Sequence, residues 1–122
     1  MNITQKIEII AKDVMYKIGE GHSENVYHNA MEIGLRKCGI EYDTEVSIPI
    51  MYENTQCGLG RIDLLVENEI IVELKALKSS IGKHEICQAK KYLSFTNYNK
   101  AVVINFKQSG NSEDKIEFEL VN

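Results

Sequence analysis

Cysteine is scarce in this chain: Cys38, Cys57 and Cys87 are odd in number and widely spaced. That excludes a disulfide framework and offers no zinc-ligand spacing. Buried free thiols in a reducing compartment are the expectation. No apolar run approaches the ~18 residues that a membrane span needs. The opening segment MNITQKIEIIAKD has acids within its apolar stretch and no small-residue cleavage site, so it is not expected to act as a secretory leader. An intracellular protein without a membrane partner is predicted. Linkers, repeats and low-complexity segments are also missing, and 122 residues fit one domain spanning 1–122. Nor is there a basic excess: the net charge is −4, which argues against nucleic acid as a partner, because phosphate binding favours basic surfaces.

The charge is unevenly spread. Residues 74–112 carry seven lysines against one acid, Glu85, while residues 1–73 carry six basic and thirteen acidic residues. The lysine block is read either as a solvated helix face or as a footprint for phosphates.

Hydrophobic periodicity gives the elements. Ile3, Ile7, Ile10, Val14 and Ile18 recur at helical spacing, predicting a helix over 3–18. Ser23 is a plausible N-cap for a second helix, which Gly39 ends near Cys38. From Tyr42 to Tyr52 the period is two, which predicts a half-buried strand; its lone proline, Pro49, marks an edge or a bulge. ENTQCG is predicted as a turn. Strands at about 58–66 and 70–76 follow, then a helix at about 82–95. AVVINF (101–106) is predicted to be a buried strand, residues 107–115 a mobile loop, and Ile116, Phe118 and Leu120 mark a last strand. The predicted fold is α/β, a mixed sheet flanked by helices in the order α-α-β-β-β-α-β-β.

The chemistry concentrates in GRIDLLVENEIIVELKA. With a turn at Glu67-Asn68-Glu69, Val66 pairs with Ile70, Asp63 stands opposite Glu73 and Arg61 opposite Lys75. One face is then Ile62, Leu64, Val66, Ile70, Val72, Leu74 and Ala76, wholly apolar. The other carries Arg61, Asp63, Glu73 and Lys75. Two carboxylates with roots about 5 Å apart repel. A hard cation such as Mg²⁺ turns that penalty into a ligand set, since it takes one or two carboxylates plus water and phosphate oxygens. Lys75, on the same face, suits an attacking water, a phosphate or developing charge. The plainer alternative is an exposed face on which Arg61 and Lys75 neutralise the acids.

This D-x9-E-L-K hairpin resembles the core signature of the PD-(D/E)XK nuclease superfamily, with Ile62 where the family name has proline. GHSENVY (21–27) resembles the G-x-x-E-x-x-Y motif of a small family within it, the GxxExxY proteins, with Gly21, Glu24 and Tyr27 at its named positions. Gln88 and Tyr92 resemble the Q-x-x-x-Y of recombination-type exonucleases, and His84 lies one turn earlier on the same stripe. The resemblance implies a restriction-endonuclease-like fold. It also implies Mg²⁺ or Mn²⁺ held by Asp63, Glu73 and the Leu74 carbonyl, with Glu24 as a further carboxylate. Lys75 would assist the water. Gln88, Tyr92, His84, Arg61, Lys78 and Lys91 would bind nucleic acid, DNA in the first instance.

Plainer readings stand beside these: Glu24 as a first-turn acid favoured by the helix dipole, Tyr27 as a core residue, and Gln88, Tyr92 and His84 as an ordinary polar helix face. Two rival functions remain. One is a catalytically silent nuclease-fold module that binds nucleic acid or a protein. The other is a subunit working only in a homodimer or larger complex.

Overall fold

A computed structural model describes residues 1–108 and 115–122, so residues 109–114 of the expected 107–115 loop lie outside the described residues. Helices α1 (Ile3–Ile18) and α2 (Glu24–Lys37) are followed by strands β1 (Tyr42–Tyr52), β2 (Thr55–Val66) and β3 (Ile70–Lys75). Helix α3 (Lys83–Ser94) and strands β4 (Lys100–Phe106) and β5 (Ile116–Val121) complete the order. That is the α/β order the periodicity predicts. The strands form one sheet in the order β1-β2-β3-β4-β5, antiparallel except where β3 runs parallel to β4.

Capping and turn chemistry fix the ends. Asn2 and Gln5 exchange side-chain to backbone bonds at the start of α1, closing two orphan N–H groups. Ser23 occupies the N-cap of α2, although the Val26 N–H bonds its carbonyl rather than its hydroxyl. The β1–β2 turn is tighter than ENTQCG implies. Only Glu53 and Asn54, both with positive φ, separate the paired residues Tyr52 and Thr55. Positive φ at both central residues matches the twist of a two-residue hairpin. Pro49 lies in β1, an edge strand, one residue before a register shift at Ile50/Met51. It therefore costs no interior ladder bond.

The sheet is covered on both faces. Helices α1 and α2 bury Ile7, Ile10, Val14, Tyr27, Met31 and Leu35 against Leu64, Val66, Val72, Leu74, Ile104 and Phe106. Helix α3 buries Ala89 and Tyr92 against Ile48, Ile62, Leu65, Ile71 and Val103. The regular alternation expected for the hairpin fails at one point. Ile62 packs with the α3 cluster, while Leu64, two residues on, packs with the α1–α2 cluster. The break coincides with Glu45, whose φ of 53° takes it out of extended geometry, and with a gap in the β1–β2 register opposite Asp63. The three cysteines are exposed, not buried as expected. Among the described residues no helix is long and apolar enough to cross a membrane.

Candidate active site

The register at the hairpin end is as expected, with Val66 opposite Ile70 and Leu65 opposite Ile71. It then stops at Leu64 and Val72. Beyond that point β3 continues beside β4 while β2 continues beside β1. The expected ladder pairs Asp63–Glu73 and Arg61–Lys75 therefore do not form, because the two strands part. Into the gap comes the Asp63 carboxylate, whose Oδ2 accepts the Leu74 N–H at 2.8 Å. In an extended strand a residue's N–H and C=O point to the same side. The Leu74 carbonyl therefore also faces this gap.

Among the described residues Glu73 is the anomaly. It is only 4% exposed, and its Oε1 is buried without a hydrogen-bond partner. Burial, then the neighbouring Asp63 charge, push its carboxyl up from 4.5 to about 8, with Lys75 pulling the other way. A buried polar atom left unpaired costs about 1–3 kcal/mol. Such an acid beside a second acid is the donor set that a divalent cation satisfies. In that sense the residues fit a metal. Yet no three His, Cys, Asp or Glu side chains among the described residues are grouped closely enough to hold one. Glu24 is exposed in the first turn of α2 and lines a cleft of about 180 Å³ with Asn25, His28, Glu45, Arg61, Asp63 and Leu74.

Lys75 ends β3 half-buried on the Glu73 side, with its Nζ 3.5 Å from Gln88 Oε1. Gln88 Nε2 donates to the Tyr92 hydroxyl at 3.2 Å. Gln88 and Tyr92 share one face of α3, as four-residue spacing requires. Tyr92 is only 5% exposed and so belongs to the core as much as to the site. His84, Lys78 and Lys91 are exposed, Lys91 with its Nζ 5.7 Å from the Tyr92 ring centroid. Arg61 is exposed and 3.9 Å from Glu45.

The G-x-x-E-x-x-Y residues have distinct structural reasons. Gly21 has φ +97°, strained for any side chain, and its N–H donates to Gln108 Oε1. Tyr27 is fully buried and stacked on Phe106, and its hydroxyl donates to the Gly19 carbonyl and accepts from Gln108. Tyr27 thus fixes the entry to α2, and with it Glu24.

Two residues escape the sequence reading. His28, four residues after Glu24, lines the same cleft. Its Nε2 lies 2.8 Å from Thr44 Oγ1 and 3.0 Å from Glu32 Oε2. The four-residue spacing is the signal that points to it. Asn105 is fully buried at the end of an apolar run. It accepts the Leu77 N–H and donates to Ser79 O and Glu117 Oε1, which pins the chain leaving Lys75.

Residues 1–117 match the family described as PD-(D/E)XK nuclease superfamily. The fold is similar to a solved structure, "Crystal structure of SSO0001", with a TM-score of 0.62 and 22% identity. That likeness covers 80% of this chain and 48% of the other, so the chain spans about half of SSO0001's length. At that identity the likeness is one of fold. Among curated proteins no relative matches.

Proposed function

The chain belongs to the PD-(D/E)XK nuclease superfamily, and from that premise we propose that its gap between β2 and β3 hydrolyses phosphodiester bonds, in DNA first of all. The observation that carries this reading is Glu73: a buried carboxyl with an unpartnered oxygen beside Asp63. Asp63, Glu73 and the Leu74 carbonyl would hold Mg²⁺ or Mn²⁺, with exposed Glu24 joining through water from the cleft wall. When bound, such an ion offsets charge on the phosphate and makes water more acidic.

The remaining work falls to this chain's own groups. Lys75 places an ammonium beside the acids, where it offsets charge developing on the phosphoryl oxygens as water attacks phosphorus and the bond to the leaving oxygen breaks. Exposed Lys78, Lys83, Lys90, Lys91 and His84 supply backbone contacts that hold a strand without reading its sequence. Gly21, Glu24 and Tyr27 support membership of the GxxExxY group within the superfamily. An intracellular site of action goes with this reading.

Two observations favour alternatives. The absence of a three-residue metal cluster among the described residues favours a silent module that binds nucleic acid or a protein partner. Exposed Ile9 and Tyr16 on α1, with Met51, Tyr52 and Leu59 at the β1–β2 tip, favour a homodimer or larger complex. Mass in solution tests the assembly. Calorimetric titration of Mn²⁺ into the protein and into Glu73→Ala, followed by cleavage of labelled DNA, tests the catalysis. Binding and cleavage that both vanish in the variant support the proposal; no binding by the wild type overturns it in favour of the silent module.

A further inference from the structure

Lysine is a flexible side chain with a point charge, and it acts on a phosphate only if something holds it in place. Gln88 Oε1 is the group facing the Lys75 ammonium. An ammonium only donates, so the Gln88 amide must turn its oxygen toward Lys75 and its nitrogen elsewhere. The Tyr92 hydroxyl accepts from that nitrogen, which sets the amide the right way round. Tyr92 in turn is held by burial against β2.

What admits Tyr92 there is Gly60. A Cβ built on Gly60 would lie 2.8 Å from Tyr92 Cε1 and 3.5 Å from Cδ1, with Ile50 Cδ1 3.7 Å away on another side. Real Cβ atoms essentially never sit that close, so a side chain at position 60 would push the ring aside. Glycine inside a strand otherwise weakens it, and close approach of another group is the usual reason for its presence.

We propose that Gly60 is a positioning residue for Lys75: its missing side chain seats Tyr92 on β2, Tyr92 orients Gln88, and Gln88 holds the ammonium toward the acids. Strand β2 thus supplies the acid Asp63 and, three residues earlier, the slot that places the opposing cation. Gln88 and Tyr92 then serve inside the protein, and contact with the substrate is left to the exposed lysines. The inference rests on the reading of Lys75 given above, but its primary test needs no cleavage.

That test is side-chain NMR of the protein with labelled lysine, with the Lys75 signal assigned through Lys75→Arg. Lys75 should be markedly more ordered than exposed Lys78, and Gly60→Ala should bring the two to the same mobility. Gln88→Met, which keeps the packing but removes the amide, should loosen Lys75 equally, and it serves where Gly60→Ala does not fold. Lys75 remaining ordered in either folded variant overturns the proposal. The kinetic counterpart is a fall in kcat of roughly 10–100-fold for Gly60→Ala, the usual cost of losing an orienting partner. KM should be unchanged, with no further fall in a Lys75→Ala background. An additional fall in that background also overturns the proposal. If the wild type cleaves nothing, the proposed function fails, and the NMR result alone decides whether Gly60 positions Lys75.

Discussion

Among the described residues, the two faces of the sheet differ at one buried polar group. On the α1–α2 face the buried polar atoms are matched: the Tyr27 hydroxyl has both a donor and an acceptor partner, and Gln108 ties Tyr27 to the Gly21 turn. On the α3 face Glu73 is buried with an oxygen left over. The first pattern is what stability alone selects. The second is a cost that stability alone would remove; Asn105, buried on the same face with its bonds made, follows the first pattern, so the division sets Glu73 apart from the residues that hold the fold.

Four substitutions and one change of condition test that division. The largest effect is expected at Lys75 and Glu73. Lys75→Ala or Glu73→Gln should lower cleavage on the order of 10²–10³-fold, while circular-dichroism melting shows no loss of stability. A large loss of stability in Glu73→Gln would mean that the acid is structural and the two faces are alike.

The next effect is a pH dependence. Glu73 titrates near 8 when folded, against 4.5 as its ordinary value. Between those values the folded state holds a proton that the unfolded chain has released. The stabilisation from the protonated acid is therefore complete below about 4.5 and is lost as pH rises through about 8. Denaturant unfolding in the absence of metal should show stability declining over that window, with the decline abolished in Glu73→Gln. A flat wild-type profile counts against burial of the acid.

Smaller effects belong to the supporting residues. Asn105→Ala strips partners from the Leu77 N–H and from Glu117, at a cost of about 2–3 kcal/mol in unfolding free energy. Because Asn105 pins the segment after Lys75, cleavage should also suffer. Gly21→Ala places a side chain at φ +97° and should cost about 1–2 kcal/mol, with kcat at permissive temperature unchanged. A fall in kcat there would join the two faces into one unit.

Element order was legible because helical spacing, alternation and a continuous apolar run follow one another along the chain, and Asp63, Glu73 and Lys75 were legible because charges interrupt an otherwise apolar hairpin. The parting of β2 from β3 was not. There the Asp63 carboxylate takes the place of a ladder carbonyl, and no periodicity announces that. The change of face at Ile62 coincides with the positive φ of Glu45, which no glycine or asparagine announces. The burial of Tyr92 was hidden because the Gly60 slot lies on another element, far off in sequence. Exposure of Cys38, Cys57 and Cys87 runs against the general tendency of free thiols.

The Asp63 to Leu74 bond spans 11 residues, whereas the Gly21 to Gln108 bond spans 87. Short loops close before long ones, so the hairpin that crowds Asp63 against Glu73 belongs to the early part of folding, ahead of the parallel pairing of β3 with β4. Above about pH 8, where Glu73 is ionised beside Asp63, their repulsion is then expected at the barrier. At that pH Glu73→Gln should accelerate folding more than it slows unfolding, which stopped-flow refolding and unfolding of the two proteins checks.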